Sequence, residues 1–293
     1  MDKQLKYSVV LPVFQAKRYI QLSVQRIIEV MDSIGAPYEI ILADDHSTDG
    51  TWEVLKNIKA QHEQIRIIRL SQNIGQTPTT MAGAQQAKGQ FIITLDDDLQ
   101  HPPEEIPELI AAINANDVDV VFGDPKQRHH PSKQHPVLVA IGGFMFHWVF
   151  MRRYRKINFF TTFRIFKAGL LSSNGGIWSH LFFIWQLNPG RAIHTPTKHE
   201  PRKQGKSNHT VLRLIRHFSP FLWYFALRTA VVLQILLLLG ALAYYGYQYQ
   251  GEDLDLSNGY WILAFAVIVF VAKQAVFAKL RKLENLNSTI TEG

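Results

Sequence analysis

The sequence predicts an α/β fold built on a mostly parallel sheet, followed by a segment that attaches the chain to a membrane. Short β-branched runs alternate with amphipathic helical patterns over the first 125 residues. Alternation of this kind is typical of parallel sheets that helices cover on both faces. Later in the chain, Thr229–Tyr247 is an uncharged apolar stretch of about 19 residues, long enough to span a bilayer as a helix.

Five strands are predicted from short apolar runs. They are Tyr7–Val13, Glu39–Asp44, Ile65–Leu70, Gln90–Leu95 and Val118–Gly123. Parallel α/β sheets bind their ligands beyond the carboxyl ends of the strands. We therefore expect the functional residues just after these runs.

Helical spacing of apolar residues predicts helices between the strands. Their apolar faces are formed by Ile20, Val24, Ile27, Ile28 and Met31, by Trp52, Leu55 and Ile58, and by Ile106, Leu109, Ile110 and Ile113. Asp49 is expected to cap the second of these helices. Thr77–Pro78 predicts a further helix, with a capping threonine followed by proline at the first helical position.

Composition narrows the class of protein. The chain has 293 residues, of which 47% are hydrophobic, so it is not a disordered protein. It has no cysteine, which excludes disulfides and thiolate metal sites. A net charge of +7 suits nucleic acid, anionic lipid or phosphate-bearing substrates, or only a soluble basic surface. No Walker or dinucleotide-binding glycine motif is present, which argues against those classes.

The last part of the chain predicts two membrane spans. Tyr260–Ala278 is a second candidate, with Lys273 near one end where its charge can reach the interface. The loop between the two spans holds acids but no Lys or Arg, whereas basic residues precede the first span and follow the second. The positive-inside rule then places both chain termini in the cytoplasm. The alternative is a pair of buried helices in a large core.

The segment before the spans predicts a helix on the membrane surface. Apolar residues recur there at helical spacing beside Arg213 and Arg216, a pattern of interfacial helices and also of ordinary amphipathic core helices. We therefore predict a cytosolic domain over residues 1–210 and a juxtamembrane amphipathic helix over 211–226. Two transmembrane helices with a short outer loop follow over 227–280, and a cytoplasmic tail over 281–293. The N-terminus lacks the features of a signal peptide, and paired spans beside a surface helix favour self-association.

Carboxylates follow three of the predicted strands. Asp44 and Asp45 end the second strand, Asp96 to Asp98 follow the fourth, and Asp124 follows the fifth. Because parallel strands end at one edge, these carboxylates are expected to converge on one cleft. Clustered carboxylates without cysteine favour a hard, oxygen-liking ion, Mg²⁺ or Mn²⁺, over zinc.

The residues of this cleft are not expected to be equivalent. On an extended segment Asp96 and Asp98 share a face, and Asp97 points the other way, where it is expected to cap a turn or bond to backbone and to tolerate change better. Any single aspartate here has a purely structural role as its alternative. Asn73, after the third strand, is suited to bond either a nucleotide or backbone, and Gly75 to serve a turn.

Four stretches resemble one known family. They are SVVLPVFQ (8–15), ILADDHSTDGT (41–51), LDDDLQHPPEEIP (95–107) and HEPRKQGKSNHT (199–210). They are similar to glycosyltransferase family 2, and within it to the membrane-attached polyprenyl-phosphate glycosyltransferases typified by dolichyl-phosphate mannosyltransferase. The third stretch is the most specific, since a lone D-x-D is weak.

The resemblance implies a type A glycosyltransferase fold and an activity. A sugar would pass, with inversion, from a UDP-, GDP- or dTDP-linked donor to an undecaprenyl- or dolichyl-type polyprenyl phosphate. The enzyme would be multi-pass in the cytoplasmic (inner) membrane, serve cell-envelope glycan or glycosylation pathways, and bind no nucleic acid.

The resemblance also implies a role for individual residues. The donor nucleotide would lie against Pro12, Val13, Asp44, Asp45, Asn73 and Asp97. The metal would be held by Asp96, Asp98 and Gln100. Catalysis would involve Asp98, Arg164, Arg202 and Asn158, with both arginines binding phosphate.

The chain departs from the family pattern at a few positions. Asn158 stands where an aspartate is common, Gln72 where an arginine is common, and the TTFR stretch at Arg164 lacks the usual glycine. A lipid phosphate is already anionic at neutral pH, so the missing acid does not prevent the reaction. Two alternatives stay open: a glycolipid or polysaccharide acceptor, and a non-catalytic nucleotide-sugar-binding membrane anchor, for which Asn158 is the support.

Overall fold

The strands of the described residues form one mixed sheet in the order β7-β5-β6-β4-β1-β2-β3-β8. The computed structural model describes residues 4–125, 161–172, 188–198, 200 and 290–292, all of which belong to one compact unit. The strands are β1 Tyr7–Val13, β2 Tyr38–Asp44, β3 Ile65–Leu70, β4 Phe91–Thr94, β5 Val120–Pro125, β6 Arg164–Lys167, β7 Ala192–Thr197 and β8 Ile290–Glu292.

Four main helices accompany the strands in the described part of the chain. They are α1 Ile20–Ile34, α2 Thr51–Gln61, α3 Gln76–Gln85 and α4 Ile106–Ala115, with a one-turn helix α5 at Gly169–Ser172. Short 3₁₀ turns precede α4 and β7, at Pro103–Glu105 and Pro189–Arg191.

The core of the sheet is parallel, as predicted. β1 pairs in parallel with β2 and β4, and β2 pairs in parallel with β3. β6 is antiparallel to both β4 and β5, and β7 is parallel to β5. Strands β1 to β5 and β7 therefore all point their carboxyl ends to one edge, which is the edge where ligands of such sheets bind.

Alternate residues of the strands face different helices, because side chains alternate across a strand. Val9 and Leu11 belong to the core that α1, α2 and α4 cover, and each is fully buried. Val10 faces α3 instead, where Gly83 lets the helix approach the sheet. A Cβ on Gly83 would lie 2.7 Å from Cγ1 of Val10, so a larger residue there would push α3 away.

The predicted strands are confirmed to within two residues at each end. All the apolar positions predicted for α1 and α4 are buried, as are Leu55 and Ile58 of α2. The sequence did not predict β6, β7 or β8. They are short, β7 contains Pro196, and only tertiary pairing makes them strands.

The two predicted helix starts were wrong in detail. α2 is capped by Gly50, while Asp49, one residue earlier, accepts a hydrogen bond from the Thr51 N–H (3.0 Å). α3 begins at Gln76 after Gly75, two residues before Pro78. Gly75 has φ +97°, a backbone conformation that glycine adopts readily, and this turn ends the loop earlier than Thr77–Pro78 suggested.

Within the described residues no helix has the length and apolarity needed to cross a membrane. The predicted surface helix (211–226) and both predicted spans (227–280) lie outside the described residues. The predicted tail (281–293) is described only at β8, which pairs antiparallel with β3, Ile290 opposite Leu70.

Candidate active site

The predicted carboxylates lie at the carboxyl edge of the sheet. Val13, the last residue of β1, pairs with Asp44, the last residue of β2. Asp96 follows β4 by two residues, and Asp124 is the next-to-last residue of β5. Because β4 neighbours β1 and β5 is parallel to β4, the three carboxylate groups share one edge, as predicted.

Asp44 is fully buried and bound by the protein itself. Its carboxylate accepts the Ser47 N–H (3.2 Å to Oδ1) and pairs with Nε of Arg69 (3.2 Å to Oδ2). The Arg69 guanidinium lies over the ring of Trp52 and donates to the Ser47 carbonyl. Burial raises the pKa of Asp44, against the hydrogen bonds from Ser47 and the charge of Arg69. Asp44 therefore shapes the loop between β2 and α2.

Asp45 joins the ends of β2 and β3. It is 2% exposed, and its two carboxylate oxygens accept the N–H groups of Ile74 (2.7 Å) and Gly75 (2.9 Å). Burial raises the pKa of Asp45, an effect that these backbone bonds oppose. Asn73 donates to the Asp45 carbonyl (3.2 Å), so of the two roles open to Asn73 the structure displays the backbone bond.

The segment after β4 is a tight turn, not the extended segment from which a shared face of Asp96 and Asp98 was predicted. It turns at Asp97 and Asp98, and Leu99 has φ +58°. Oδ1 of Asp98 accepts the Gln100 N–H (3.0 Å), which fixes the turn by a side-chain bond two residues along. The Ser23 hydroxyl of α1 donates to the Asp97 carbonyl (2.7 Å). We call residues 96–101 the aspartate turn.

Two residues that sequence reasoning missed hold Asp96. Nε2 of Gln76 donates to Oδ1 (2.6 Å) and the Thr162 hydroxyl donates to Oδ2 (3.0 Å). Gln76 is the first residue of α3, and Thr162 lies just before β6. Only their position in the sequence could have indicated this role, because both residues lie where a helix or strand meets the carboxyl edge of the sheet.

Arg164, predicted to bind phosphate, lies inside the sheet. It is 1% exposed and stands in β6 between Thr94 of β4 and Phe122 of β5. Burial lowers the pKa of Arg164 to about 9, opposed by the charge of Asp96, so the guanidinium stays protonated at neutral pH. Its guanidinium lies 4.0 Å from the sulfur of Met81 and 5.7 Å from the centre of the Phe166 ring, and the charge of Asp96 acts on it.

The aspartate turn is also packed against β5 and β6. The His101 ring stacks on Phe163, with centroids 5.1 Å apart. Phe163 in turn fills the space beside Gly123, where a Cβ would lie 2.6 Å from the ring. Any side chain at position 123 would therefore displace Phe163 and, with it, His101.

The oxygen ligands predicted for a divalent ion lie together in the aspartate turn. Asp96 is half-buried and Asp98 is 8% exposed, and Gln100 follows within the same turn. Two carboxylates and an amide oxygen are the chemistry that Mg²⁺ and Mn²⁺ prefer, so the donor set fits such an ion. In the described part of the chain no three Asp, Glu or His residues cluster as a metal site. Asn158 and Arg202 lie outside the described residues.

Comparison with known proteins decides the family. Residues 8–172 match the model of glycosyl transferase family 2. The chain belongs to this family.

Two curated relatives share one name within this family. Undecaprenyl-phosphate 4-deoxy-4-formamido-L-arabinose transferase of Edwardsiella ictaluri (strain 93-146) is 32% identical over 226 residues, 71% of this chain and 64% of that protein. The protein of the same name from Pectobacterium carotovorum subsp. carotovorum (strain PC1) is 42% identical over 111 residues, 38% of this chain and 34% of that protein. The chain thus spans less than two thirds of the length of these relatives.

The fold is also similar to that of a solved structure. Glucosyl-3-phosphoglycerate synthase from Mycobacterium tuberculosis, solved in complex with uridine-diphosphate, superposes with a TM-score of 0.53 at 15% identity. The likeness covers 75% of this chain and 79% of that one. It identifies the architecture as the α/β mixed sheet of type A glycosyltransferases.

Proposed function

We propose that this chain is a metal-dependent, inverting glycosyltransferase that moves a sugar from a nucleotide sugar to a polyprenyl phosphate at the cytoplasmic membrane face. One observation supports a polyprenyl phosphate as the acceptor. The similarity to an undecaprenyl-phosphate transferase covers 71% of the chain, more than the residues 8–172 that the general family model matches. The likeness to that relative therefore extends beyond the region shared by the whole family.

The nucleotide sugar is proposed to bind at the carboxyl ends of β1 and β2. Pro12 and Val13 lie beside Ala43 and Asp44 in the sheet register, so a base and ribose at this edge would meet them. Asp44 contributes by holding the Ser47 loop with Arg69. Asp45 and Asn73 contribute by fixing the neighbouring loop before α3. The sequence predicted Asp44, Asp45 and Asn73 as nucleotide contacts. We propose that they support the donor site by holding its loops in place.

The aspartate turn is the proposed metal side, with Asp96, Asp98 and Gln100 as ligands. A bound Mg²⁺ or Mn²⁺ would neutralise charge on the departing diphosphate. The protein prepares the carboxylates in advance: Gln76 and Thr162 fix Asp96, and the Gln100 N–H fixes Asp98. Buried Arg164 adds a positive charge beside the aspartate turn, and the charge of Asp96 opposes the burial that lowers the pKa of Arg164. Preorganised groups cost no reorganisation during the reaction.

The acceptor phosphate is already anionic, so its oxygen can attack the anomeric carbon while the C–O bond to the nucleoside diphosphate breaks. Asn158 in place of an acid is compatible with this step, since little proton removal is needed. Arg202 is the proposed phosphate contact. Two residues earlier in the sequence, the Glu200 N–H donates to the Gln100 carbonyl (2.8 Å).

Membrane attachment through residues 227–280 is part of this proposal. The pairing of β8 with β3 supports it. Because the chain returns to the catalytic domain at residue 290, every membrane crossing after residue 200 must be matched by a return. Two spans, Thr229–Tyr247 and Tyr260–Ala278, satisfy that condition, with residues 211–226 on the membrane surface.

The direct test is transfer by the purified full chain. It is incubated with undecaprenyl phosphate, Mn²⁺ or Mg²⁺, and a panel of labelled UDP-, GDP- and dTDP-sugars. We expect lipid-linked product from at least one donor, lost when EDTA removes the metal. No lipid product from any donor with metal present would contradict the proposal. In a parallel reaction with a membrane lipid extract as the acceptor, an acid-stable glycoside instead of an acid-labile sugar phosphate would identify a glycolipid acceptor.

A further inference from the structure

A buried carboxylate outside the predicted site binds the chain that leads to Arg202. Glu105 is 8% exposed and ends the 3₁₀ turn after the aspartate turn. Its Oε2 accepts the Lys198 N–H (3.1 Å) and its Oε1 lies 3.5 Å from the Lys198 ammonium. No role predicted from the sequence used this residue.

The two contacts of Glu105 differ in strength. The Lys198 side chain is 83% exposed, so its ion pair is screened by solvent and contributes little. The bond from the backbone N–H to a buried carboxylate is charge-assisted and shielded, and bonds of that kind are the stronger ones. Glu105 therefore acts mainly on the backbone of Lys198.

A second bond ties the same segment to the aspartate turn. The Glu200 N–H donates to the Gln100 carbonyl (2.8 Å). The side chain of Gln100 is a proposed metal ligand, and its backbone carbonyl is the acceptor of this bond. We call these two bonds, Lys198 to Glu105 and Glu200 to Gln100, the tether.

The neighbouring charges support this arrangement. Arg26 of α1 forms a two-pronged ion pair with Glu104 (3.0 and 2.6 Å). The pKa of Arg26 is raised, first by that bond and further by the charge of Glu200. Glu200 thus lies in the field of a cation that α1 holds beside the aspartate turn.

We propose that Glu105 is a positioning residue: through the tether it helps to hold the backbone at Lys198 and Glu200 against the aspartate turn, so that occupation of the metal site orders this part of the chain. The inference rests on the proposed function for the identity of the acceptor. The tether itself is a property of the fold and is measurable without substrate.

The experiment follows the two amides that donate in the tether. Hydrogen exchange of peptides covering residues 192–200 is measured on the full chain, with and without Mn²⁺ alone. In the wild type, Mn²⁺ should slow exchange at Lys198 and Glu200. In Glu105→Ala both amides should exchange about tenfold faster, the scale of one charge-assisted hydrogen bond, and Mn²⁺ should slow them much less. Mn²⁺ affinity should stay within about twofold, since Glu105 is not a ligand.

Controls separate positioning from unfolding. Glu108→Ala removes an exposed carboxylate from the first turn of α4, three residues after Glu105, and should leave exchange at Lys198 and Glu200 unchanged. Glu105→Gln keeps an acceptor oxygen and should restore most of the protection. Unchanged exchange in Glu105→Ala, or a loss of Mn²⁺ affinity as large as the change in exchange, would overturn the proposal.

Turnover then connects the tether to the acceptor. Glu105→Ala should raise the KM for undecaprenyl phosphate about tenfold and leave the KM for the donor within about twofold. If the wild type transfers no sugar, the proposed function fails while the exchange result still decides on the tether. If the wild type is active and only the donor KM changes, the positioning role on the acceptor side is wrong.

Discussion

The aspartates that follow β2 and those that follow β4 lie on the same edge of one sheet, yet their carboxylates meet different surroundings. Asp44 and Asp45 are buried, and backbone N–H groups of three loop residues bind them. Asp96 is half-buried, and side chains from two other elements hold it. Equal position in a parallel sheet therefore does not imply equal function: the first pair builds loops, and the aspartate turn holds the ligands that we propose for a cation.

The largest effect that would test this difference is expected at Asp98. Asp98→Ala removes a proposed ligand and should lower transfer by about a thousandfold, the scale of losing a preorganised electrostatic contact in a transition state. Mn²⁺ binding by calorimetry should weaken in parallel, while the melting temperature falls by only a few degrees because the bond to the Gln100 N–H is lost. A variant that still transfers sugar at the wild-type rate would remove Asp98 from the metal site.

Asp45 should show the opposite pattern. Asp45→Ala leaves the N–H groups of Ile74 and Gly75 without their buried acceptor, which should cost about 2–4 kcal/mol of unfolding free energy. Urea denaturation measures this loss. If Asp96→Ala destabilises the fold as much as Asp45→Ala does, the distinction between loop-building and ligand carboxylates is wrong.

A substitution of Gln76 tests whether its hydrogen bond to Asp96 supports metal binding. Gln76→Ala should weaken Mn²⁺ binding about tenfold, as removal of outer-shell partners of metal ligands typically does. Gln72→Ala changes a similar side chain in the preceding loop and serves as the matched control, with a smaller expected loss. Equal Mn²⁺ affinity in Gln76→Ala and the wild type would argue against this role.

The titration of Asp44 gives a smaller effect, with a defined sign. Burial raises its pKa in the folded state, so between the unfolded value near pH 4 and the folded value the native state binds more protons. The stability of the wild type relative to Asp44→Asn should therefore fall as the pH rises through that window, by at most about 1.4 kcal/mol per pH unit. Unfolding measured from pH 4 upward tests this, and a relative stability that rises with pH would contradict it.

Asp97 should have the smallest effect. Its backbone carbonyl accepts a hydrogen bond from the Ser23 hydroxyl, and this bond does not depend on the side chain at position 97. Asp97→Asn is expected to lower transfer by about twofold to threefold. A loss as large as that of Asp98→Ala would show that the predicted contact of Asp97 with the donor is essential.

Much of this arrangement follows from local sequence. Apolar periodicity predicted the five central strands and the faces of α1 and α4, because burial selects those residues directly. The converging carboxylates followed from parallel topology alone. The contacts of Gln76, Thr162 and Glu105 did not, because each joins residues at least 20 positions apart. Antiparallel β6 was hidden for a related reason: four residues beginning with Arg164 form a strand only between β4 and β5.

The short strand β8 has a consequence for the surface of the molecule. β3 carries the apolar run Ile65–Leu70 and would otherwise be the last strand on its side of the described sheet. Unpaired strands of that kind recruit other chains and promote aggregation. By pairing with Ile68, Arg69 and Leu70, residues 290–292 cover part of this edge. The pairing thereby protects the enzyme from aggregation with other proteins in the cell.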